Sequence, residues 1–309
     1  MKTNSNLERV LEKGRFAVTA EIGPPKSANA EVIRKKAKIL KGYIDAFNVT
    51  DGQTAVVRMA SWAACLIGRE EGLDPIVQMT TRDRNRIALQ MDVLGVAALG
   101  INNILCLSGD YVSMGNHPSA KPVYDIDSIQ FIKIVKDMRD EKKFQCGEEM
   151  EVEPRLYIGA VANPFAGPSL ELEVLRLEKK VRAGADFIQT QCVYNLEKFE
   201  EWMKLVRARK LHEEVHILAG VTPLKSYRMA KYMKENVPGI DIPDKVLERM
   251  KNAPKESAKE EGINICVETI ERLKEVEGVH GVHIMAIGWE EIVPELIKRA
   301  ELLPRPGFR

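Results

Sequence analysis

A turn needs a glycine, but it does not need an acid at the end of a buried run. The stretch "NILCLSGD" (103–110) nevertheless closes on Ser108, Gly109 and Asp110. Other apolar runs of the chain also end on polar groups: Glu21, Thr50-Asp51, Gln78 to Thr81, Asn163-Pro164, Gln191 and Thr222-Pro223. Carboxylates, amides and hydroxyls of this kind supply charge together with hydrogen-bond donors and acceptors. Gathered in one place they would ring a flat ligand, with Gly109 omitting a side chain so that the ligand can come close. The alternative for Asp110 is a cap on the following turn.

The elements that would have to gather them are short and β-rich. Strand candidates are "FAVTAEI" (16–22), "AFNVTD" (46–51), "PIVQMTT" (75–81), "NILCLSGD" (103–110), "RLYIGAVANP" (155–164), "FIQTQ" (187–191), "HILAGVTP" (216–223) and "GVHIMAI" (281–287). Between them, helical periodicity puts Leu170, Val174, Leu177 and Val181 on one face. Leu196, Phe199, Met203 and Val206 follow a cap at Asn195, and Ile263, Val267, Ile270 and Leu273 repeat the pattern. Most strands begin about 30 residues after the last, the length of a βα unit. Two gaps are longer: one after the fourth strand holds the acidic stretch 140–154, and one after the seventh holds an extra helix at 242–253. The expected fold is an α/β (β/α)₈ barrel spanning residues 1–309 as a single domain, with insertions after strands four and seven. A doubly wound sheet is the second choice, but no Gly-x-Gly-x-x-Gly follows any strand. In such a barrel the site lies at the C-terminal strand ends, where these polar residues fall.

Composition narrows the partners. Hydrophobic content of 45% and charged content of 29% fit a globular chain with a full core. Forty-six basic and 45 acidic residues leave a net charge of +1, so no global field draws in nucleic acid or an anionic membrane. The basic cluster "RDRNR" (82–86) reads as a solvated helix start in preference to a phosphate site. No apolar run reaches the ~20 residues of a membrane span, and the N-terminus has no signal-peptide core. Cys65, Cys106, Cys146, Cys192 and Cys266 are scattered, which argues against disulfides and for a cytoplasmic protein, with Cys106 and Cys192 as core residues. None of the five histidines clusters with carboxylates in the sequence, so no metal is expected.

Taken together, five stretches resemble the methylenetetrahydrofolate reductase family along nearly the whole chain. "TAEIGPPK" (19–26) is similar to its Glu-Phe-Phe-Pro-Pro-Lys opening, "NVTDGQ" to its Val-Thr-x-Gly strand end and "LSGD" to its x-x-Gly-Asp. "KPVYDIDSI" (121–129) resembles the segment entering the next helix, and "KKVRAGADFIQTQCVY" (179–194) is the most specific match. "AGVTPLKSYRMAKYM" (219–233) resembles its Gly-Ile-x-Pro strand end and helix. The resemblance implies a flavin-dependent barrel that reduces 5,10-methylenetetrahydrofolate to 5-methyltetrahydrofolate, usually with hydride from NADH or NADPH.

It also implies roles. Opening the methylene bridge needs a proton on the leaving nitrogen, and Glu21 would be the general acid, its pKa raised by burial against "IGPP". The alternative is a salt-bridged rim glutamate. Asp110 would stabilise the cationic iminium and tune the flavin. Gln191 would bind the pterin edge or the nicotinamide amide, and Tyr227, where the family has phenylalanine, would stack on substrate. Tyr227 is otherwise a helix-surface aromatic. Thr50, Gln78, Ser108, Gly109, Asp110, Asn163, Glu173 and Lys180 would contact the flavin, with Glu173 on the ribose and Lys180 on a phosphate.

Departures fall on the cofactor side. Gln78 stands where many members have histidine, Ser108 replaces an arginine, Asn163 replaces a tyrosine, and "NPFAGP" lacks a common histidine. FAD is the first choice and FMN the alternative. With Gly167 these changes imply an open rim that a cysteine-rich partner subunit or external electron carrier could approach, a homo-oligomer being the other arrangement. The chain ends soon after the eighth strand, at "LLPRPGFR", read as a barrel without a regulatory domain. Rival functions are an electron-transfer subunit and a non-redox pterin-binding methyltransferase barrel.

Overall fold

Each strand alternates between two environments, and that alternation builds the barrel. Val18, Ala20 and Ile22 pack outward on the surrounding helices, whereas Ala17 joins an inner cluster and Thr19 an inner hydrogen-bond layer. The structure, a computed structural model, describes residues 1–305; positions 306–309, the end of "LLPRPGFR", lie outside the described residues. Its strands are β1 (Ala17–Ile22), β2 (Ala46–Val49), β3 (Pro75–Thr80), β4 (Asn103–Leu107), β5 (Tyr157–Ala162), β6 (Phe187–Cys192), β7 (His216–Val221) and β8 (Val279–Ile284). All pair in parallel in chain order, and β8 returns to β1 with Ala17 opposite Gly281 and Ala20 opposite Ile284. The expected (β/α)₈ barrel is therefore the fold. Pairing in β4 stops at Leu107, which leaves Ser108, Gly109 and Asp110 in the loop above.

The inside of the barrel changes character along its axis. Its lower layer is apolar: Ala17, Ala46, Ile76, Leu105, Tyr157, Phe187 and Leu218 meet Leu7, Val10 and Leu11 of the helix Asn6–Glu12, which plugs the bottom. Gly159 makes room for the Phe187 ring, since a Cβ there would lie 2.3 Å from the ring edge. Each fully buried plug side chain contributes about 1.5–3 kcal/mol. Higher up, the inward positions become Thr19, Asn48, Gln78, Gln189 and His283. The barrel turns polar toward the C-terminal strand ends, where the site is.

The helices form as their patterns require. Asn195 accepts from Lys198 N and starts the helix Leu196–Ala208, as expected. Ser169 caps the helix Leu170–Ala183, which Gly184 ends at φ +115°, a left-handed conformation that favours glycine. Val174, Leu177 and Val181 are buried on its inner face. The insertion after β4 is exposed and held by a bridge between Lys143 and Glu149. The one after β7 contains the extra helix Asp244–Asn252, which packs with the helix Tyr227–Asn236 in a cluster separate from the main core. Cys106 and Cys192 are buried, as expected, and all five cysteines are free. No helix among the described residues is long and apolar enough to cross a membrane.

Candidate active site

At the mouth of the barrel Glu21, Gln78, Asn163 and Gln191 line a cavity of about 270 Å³ whose floor is Gln189 and His283. Glu21 ends β1 pointing inward, its side chain 14% exposed. Burial pushes its carboxyl up to about 7; hydrogen bonding from the Gln78 amide opposes the rise, Glu290 adds to it and Lys36 opposes it. Such a carboxyl carries a proton it can give up near neutral pH. Glu21 thus lies at the strand-end mouth, and burial is the first cause of its shift. It is not the ion-paired rim glutamate of the alternative: Lys36 pairs with Glu290, at 2.6 Å. Gln78, expected as a flavin contact, lies beside Glu21 inside the mouth.

Below Glu21 is a layer absent from the sequence reading. Asn48 and Gln189 pair amide to amide, with Asn48 Nδ2 donating to Gln189 Oε1 at 2.7 Å and Gln189 Nε2 to Asn48 Oδ1 at 3.0 Å. Thr19 Oγ1 lies 2.9 Å from His283 Nδ1, and His283 Nε2 lies 4.0 Å from Glu21 Oε2. Strand alternation carried the signal for three of them: Thr19, Asn48 and Gln189 are each two residues from Ala17, Ala46 and Phe187 of the apolar layer.

Gln191 reaches the mouth through an irregularity. The register of β6 on β7 shifts between Gln189 and Cys192. Thr190 Oγ1 accepts from Gly220 N at 2.9 Å and donates to Gln191 O, while Gln191 Oε1 accepts from Cys192 N at 2.9 Å. With its carbonyl oxygen engaged, the Gln191 amide keeps its NH₂ for the cavity. Bulges that re-aim a side chain are common beside active sites.

The ends of β2, β3 and β4 form a second group. Asp51 accepts from Thr80 N (2.9 Å), Thr80 Oγ1 (3.0 Å) and Arg84 Nη1 (2.7 Å), tying the end of β2 to the end of β3 and the loop after it. Thr50 is buried and its hydroxyl has no partner. Ser108, Gly109 and Asp110 are exposed above β4. Gly109 has φ +88°, and a Cβ there would lie 3.1 Å from Thr80 and Arg82. Asp110 Oδ2 accepts from Thr54 N at 2.7 Å, a contact to the loop after β2 and not a cap on the turn that follows it. "RDRNR" leads into the helix Arg86–Ala98 through the Asn85 cap, with Asp83, Asn85 and Arg86 exposed as expected, but its first residue departs from that reading. Arg82 is 3% exposed and donates to Gly52 O and Asp110 O, because its guanidinium supplies the donors that these loop carbonyls need.

On the opposite flank, Glu173 is buried, pairs with Arg176 at 2.7 Å and fills the space a Cβ of Gly167 would need. Lys180 Nζ donates to Val161 O at 2.6 Å, and burial lowers its pKa. Asn163 Oδ1 accepts from Phe165 N at 3.0 Å, and its Nδ2 fits against Gly239. In the "NPFAGP" rim Pro164 and Phe165 are thus buried, while Ala166 and Pro168 stay exposed. Tyr227 begins the helix Tyr227–Asn236 behind the Ser226 cap, half-buried against the cluster of the second insertion and outside the Glu21 cavity. The histidines do meet other titratable groups: His216 stacks edge-on with His280 at 4.9 Å, and His283 faces Glu21. Folding joins residues far apart in sequence. Among the described residues no group of three or more His, Cys, Asp or Glu could hold a metal.

The model of the methylenetetrahydrofolate reductase family matches residues 6–301. The chain belongs to this family. Methylenetetrahydrofolate reductase 2 of Schizosaccharomyces pombe is 24% identical, over 96% of this chain and 47% of its own length. The 5,10-methylenetetrahydrofolate reductase of Salmonella typhimurium is 23% identical over 94% of this chain and 91% of its own. The chain spans about half the length of the first curated relatives it matches, 47% and 45%. Among solved structures, an uncharacterized protein from Clostridium thermocellum, described as binding two copies of 5-methyl-5,6,7,8-tetrahydrofolic acid, has a TM-score of 0.63 at 17% identity, covering 96% of this chain and 99% of that one. That likeness is one of fold.

Proposed function

We propose that this member of the methylenetetrahydrofolate reductase family reduces 5,10-methylenetetrahydrofolate to 5-methyltetrahydrofolate. The observation that carries the reading is Glu21, a carboxyl raised to about 7 at the mouth of a polar-ended barrel. Glu21 gives its proton to the leaving nitrogen as the bridging C–N bond breaks, and the substrate is left as a cationic iminium. The Glu21 carboxylate so formed and Asp110 supply negative charge near that cation. The free NH₂ of Gln191 donates to the pterin edge, and the Tyr227 ring offers a stacking surface beyond it.

A flavin bound across the strand ends would supply the hydride. The unpartnered Thr50 hydroxyl suits a polar ring edge, and Gly109 keeps the end of β4 free of a side chain. Lys180 and Glu173 on the far flank suit a ribose phosphate once released from Val161 and Arg176. FAD is our first choice over FMN; release and identification of the cofactor decides. For the electron source we propose NADH or NADPH, with a partner protein as the alternative donor, and stopped-flow mixing with NADH separates them. Five free cysteines favour a reducing compartment, the cytoplasm.

The test is Glu21→Gln. The amide keeps the shape and cannot donate the proton. Flavin content and flavin reduction should match the parent, while reoxidation by methylenetetrahydrofolate slows roughly 10²–10⁴-fold. Reoxidation at the parental rate would remove Glu21 as the acid.

A further inference from the structure

We propose that His283 is a positioning residue for Glu21, presenting an Nε2–H to its carboxyl through a tautomer that the buried layer beneath selects. The inference rests on the reading of Glu21 as the acid.

Proton counting leads to it. The Gln189 amide nitrogen has two hydrogens and two oxygen acceptors in reach, Asn48 Oδ1 at 3.0 Å and Thr19 Oγ1 at 3.2 Å. Its carbonyl oxygen is taken by Asn48 Nδ2. Thr19 Oγ1, once it accepts from Gln189, has its own hydrogen to place, and His283 Nδ1 at 2.9 Å is nearer than Val282 O at 3.4 Å. Gln189 Nε2 also faces Nδ1, at 3.3 Å. Gln189 Nε2 can only donate toward Nδ1, and the Thr19 hydroxyl has its hydrogen to give, so Nδ1 is assigned as the acceptor. A neutral imidazole has one hydrogen, which must then be on Nε2, the atom 4.0 Å from Glu21 Oε2.

Burial drives the His283 pKa down to about 3, so the ring stays neutral over the working range and is itself no proton source. The 4.0 Å separation is longer than a hydrogen bond, and contacts of this kind commonly close when substrate enters. Of the other groups around Glu21, only the Gln78 amide also donates to it, from the side and not from the buried layer beneath. Gln78 approaches from β3, Glu290 and Lys36 neutralise each other, and the Cys192 thiol, pushed up to about 11 by burial, stays protonated. A donor fixed under Glu21 steadies the carboxylate that remains after proton transfer, which makes Glu21 a stronger acid than burial alone would leave it.

The first test is the tautomer, read by ¹⁵N NMR on the holoprotein with labelled histidine and His283→Gln to assign the signal. Hydrogen on Nε2 throughout the working pH range is expected; hydrogen on Nδ1 overturns the proposal. The second is kinetic. In His283→Leu, reoxidation of the flavin by methylenetetrahydrofolate should slow about tenfold, and its high-pH limb should move up by about one unit, because the lost donor favoured the charged form. His283→Gln, with an amide N–H near the Nε2 position, should recover most of the rate. A His283→Leu limb that coincides with the parent's, alongside an impaired Glu21→Gln, removes His283 and leaves the acid standing. Parental reoxidation in Glu21→Gln removes the acid first. Should His283→Leu not fold, the parent's tautomer still decides.

Discussion

The Asp110 carboxylate holds the backbone N–H of Thr54 at 2.7 Å, joining the loop after β4 to the loop after β2. Thr54 and Ala55 both have φ of +54°, a conformation that non-glycine residues avoid. Gly115 completes the joint, since a Cβ there would lie 1.8 Å from Ala55 O. Asp110 therefore combines a structural contact with a negative charge, and two variants separate them. Asp110→Asn keeps an oxygen acceptor for Thr54, so flavin affinity should stay within about threefold of the parent while the folate step slows. Asp110→Ala loses both and should also weaken flavin binding, by roughly tenfold. Titration of apoprotein with flavin, followed by stopped-flow reoxidation, checks both. Equal flavin affinity in the two variants would dismiss the loop contact.

The raised pKa of Glu21 carries a stability cost with a defined window. Its folded-state value of about 7 lies above the ordinary 4.5, so between those values the folded chain holds a proton the unfolded chain has released. Stability from this group falls as pH rises from about 4.5 to about 7, and the full cost, on the order of 3 kcal/mol, stands above that. Glu21→Gln should thus be more stable than the parent at about pH 8 and equal to it near pH 4. Urea unfolding of both proteins at the two pH values measures the difference. A difference independent of pH would mean that Glu21 titrates normally.

The same group sets the pH dependence of turnover. A general acid must be protonated, so the folate half-reaction should decline as pH rises through about 7. Stopped-flow reoxidation across that range gives the limb directly, and its absence would place proton donation elsewhere.

Thr190 tests the bulge that aims Gln191. Thr190→Val leaves the Gly220 N–H without its acceptor in a buried place, a loss of about 1–3 kcal/mol. It should also lower both half-reactions by turning Gln191 from the cavity. Gln191→Glu keeps the acceptor for Cys192 N but removes the NH₂ donor and adds charge beside Glu21, so it should impair both half-reactions with little loss of stability. Parental kinetics in Gln191→Glu would take Gln191 out of the site.

Tyr227 lies outside the Glu21 cavity, and its effect should fall on binding. Removing a stacking surface worth ~0.5–1.5 kcal/mol raises KM about 2- to 10-fold with kcat little changed. Steady-state kinetics of Tyr227→Ala shows whether it does. An unchanged KM would return the ring to the helix surface.

The eight strands, their order and both insertions were legible because periodicity and turn chemistry act over a few residues. Glu21 and Gln191 were legible as polar ends on apolar runs, and burial as the cause of the Glu21 shift followed from "IGPP". Residues whose meaning depends on distant partners were not. Arg82 looked solvated until the loops after β2 and β4 closed on its guanidinium. The partners of Gly167 and Asn163 in the "NPFAGP" rim, Glu173 and Gly239, could not be read from the stretch itself. That the Gln78 amide would also hydrogen-bond Glu21 depended on how β1 and β3 face each other. Thr19, Asn48, Gln189 and His283 lie on four strands up to 264 residues apart and meet only inside the closed barrel. Sequence sets which strand positions point inward; barrel closure and stagger decide which of them share a layer, and hydrogen bonds between them then choose the tautomer under Glu21.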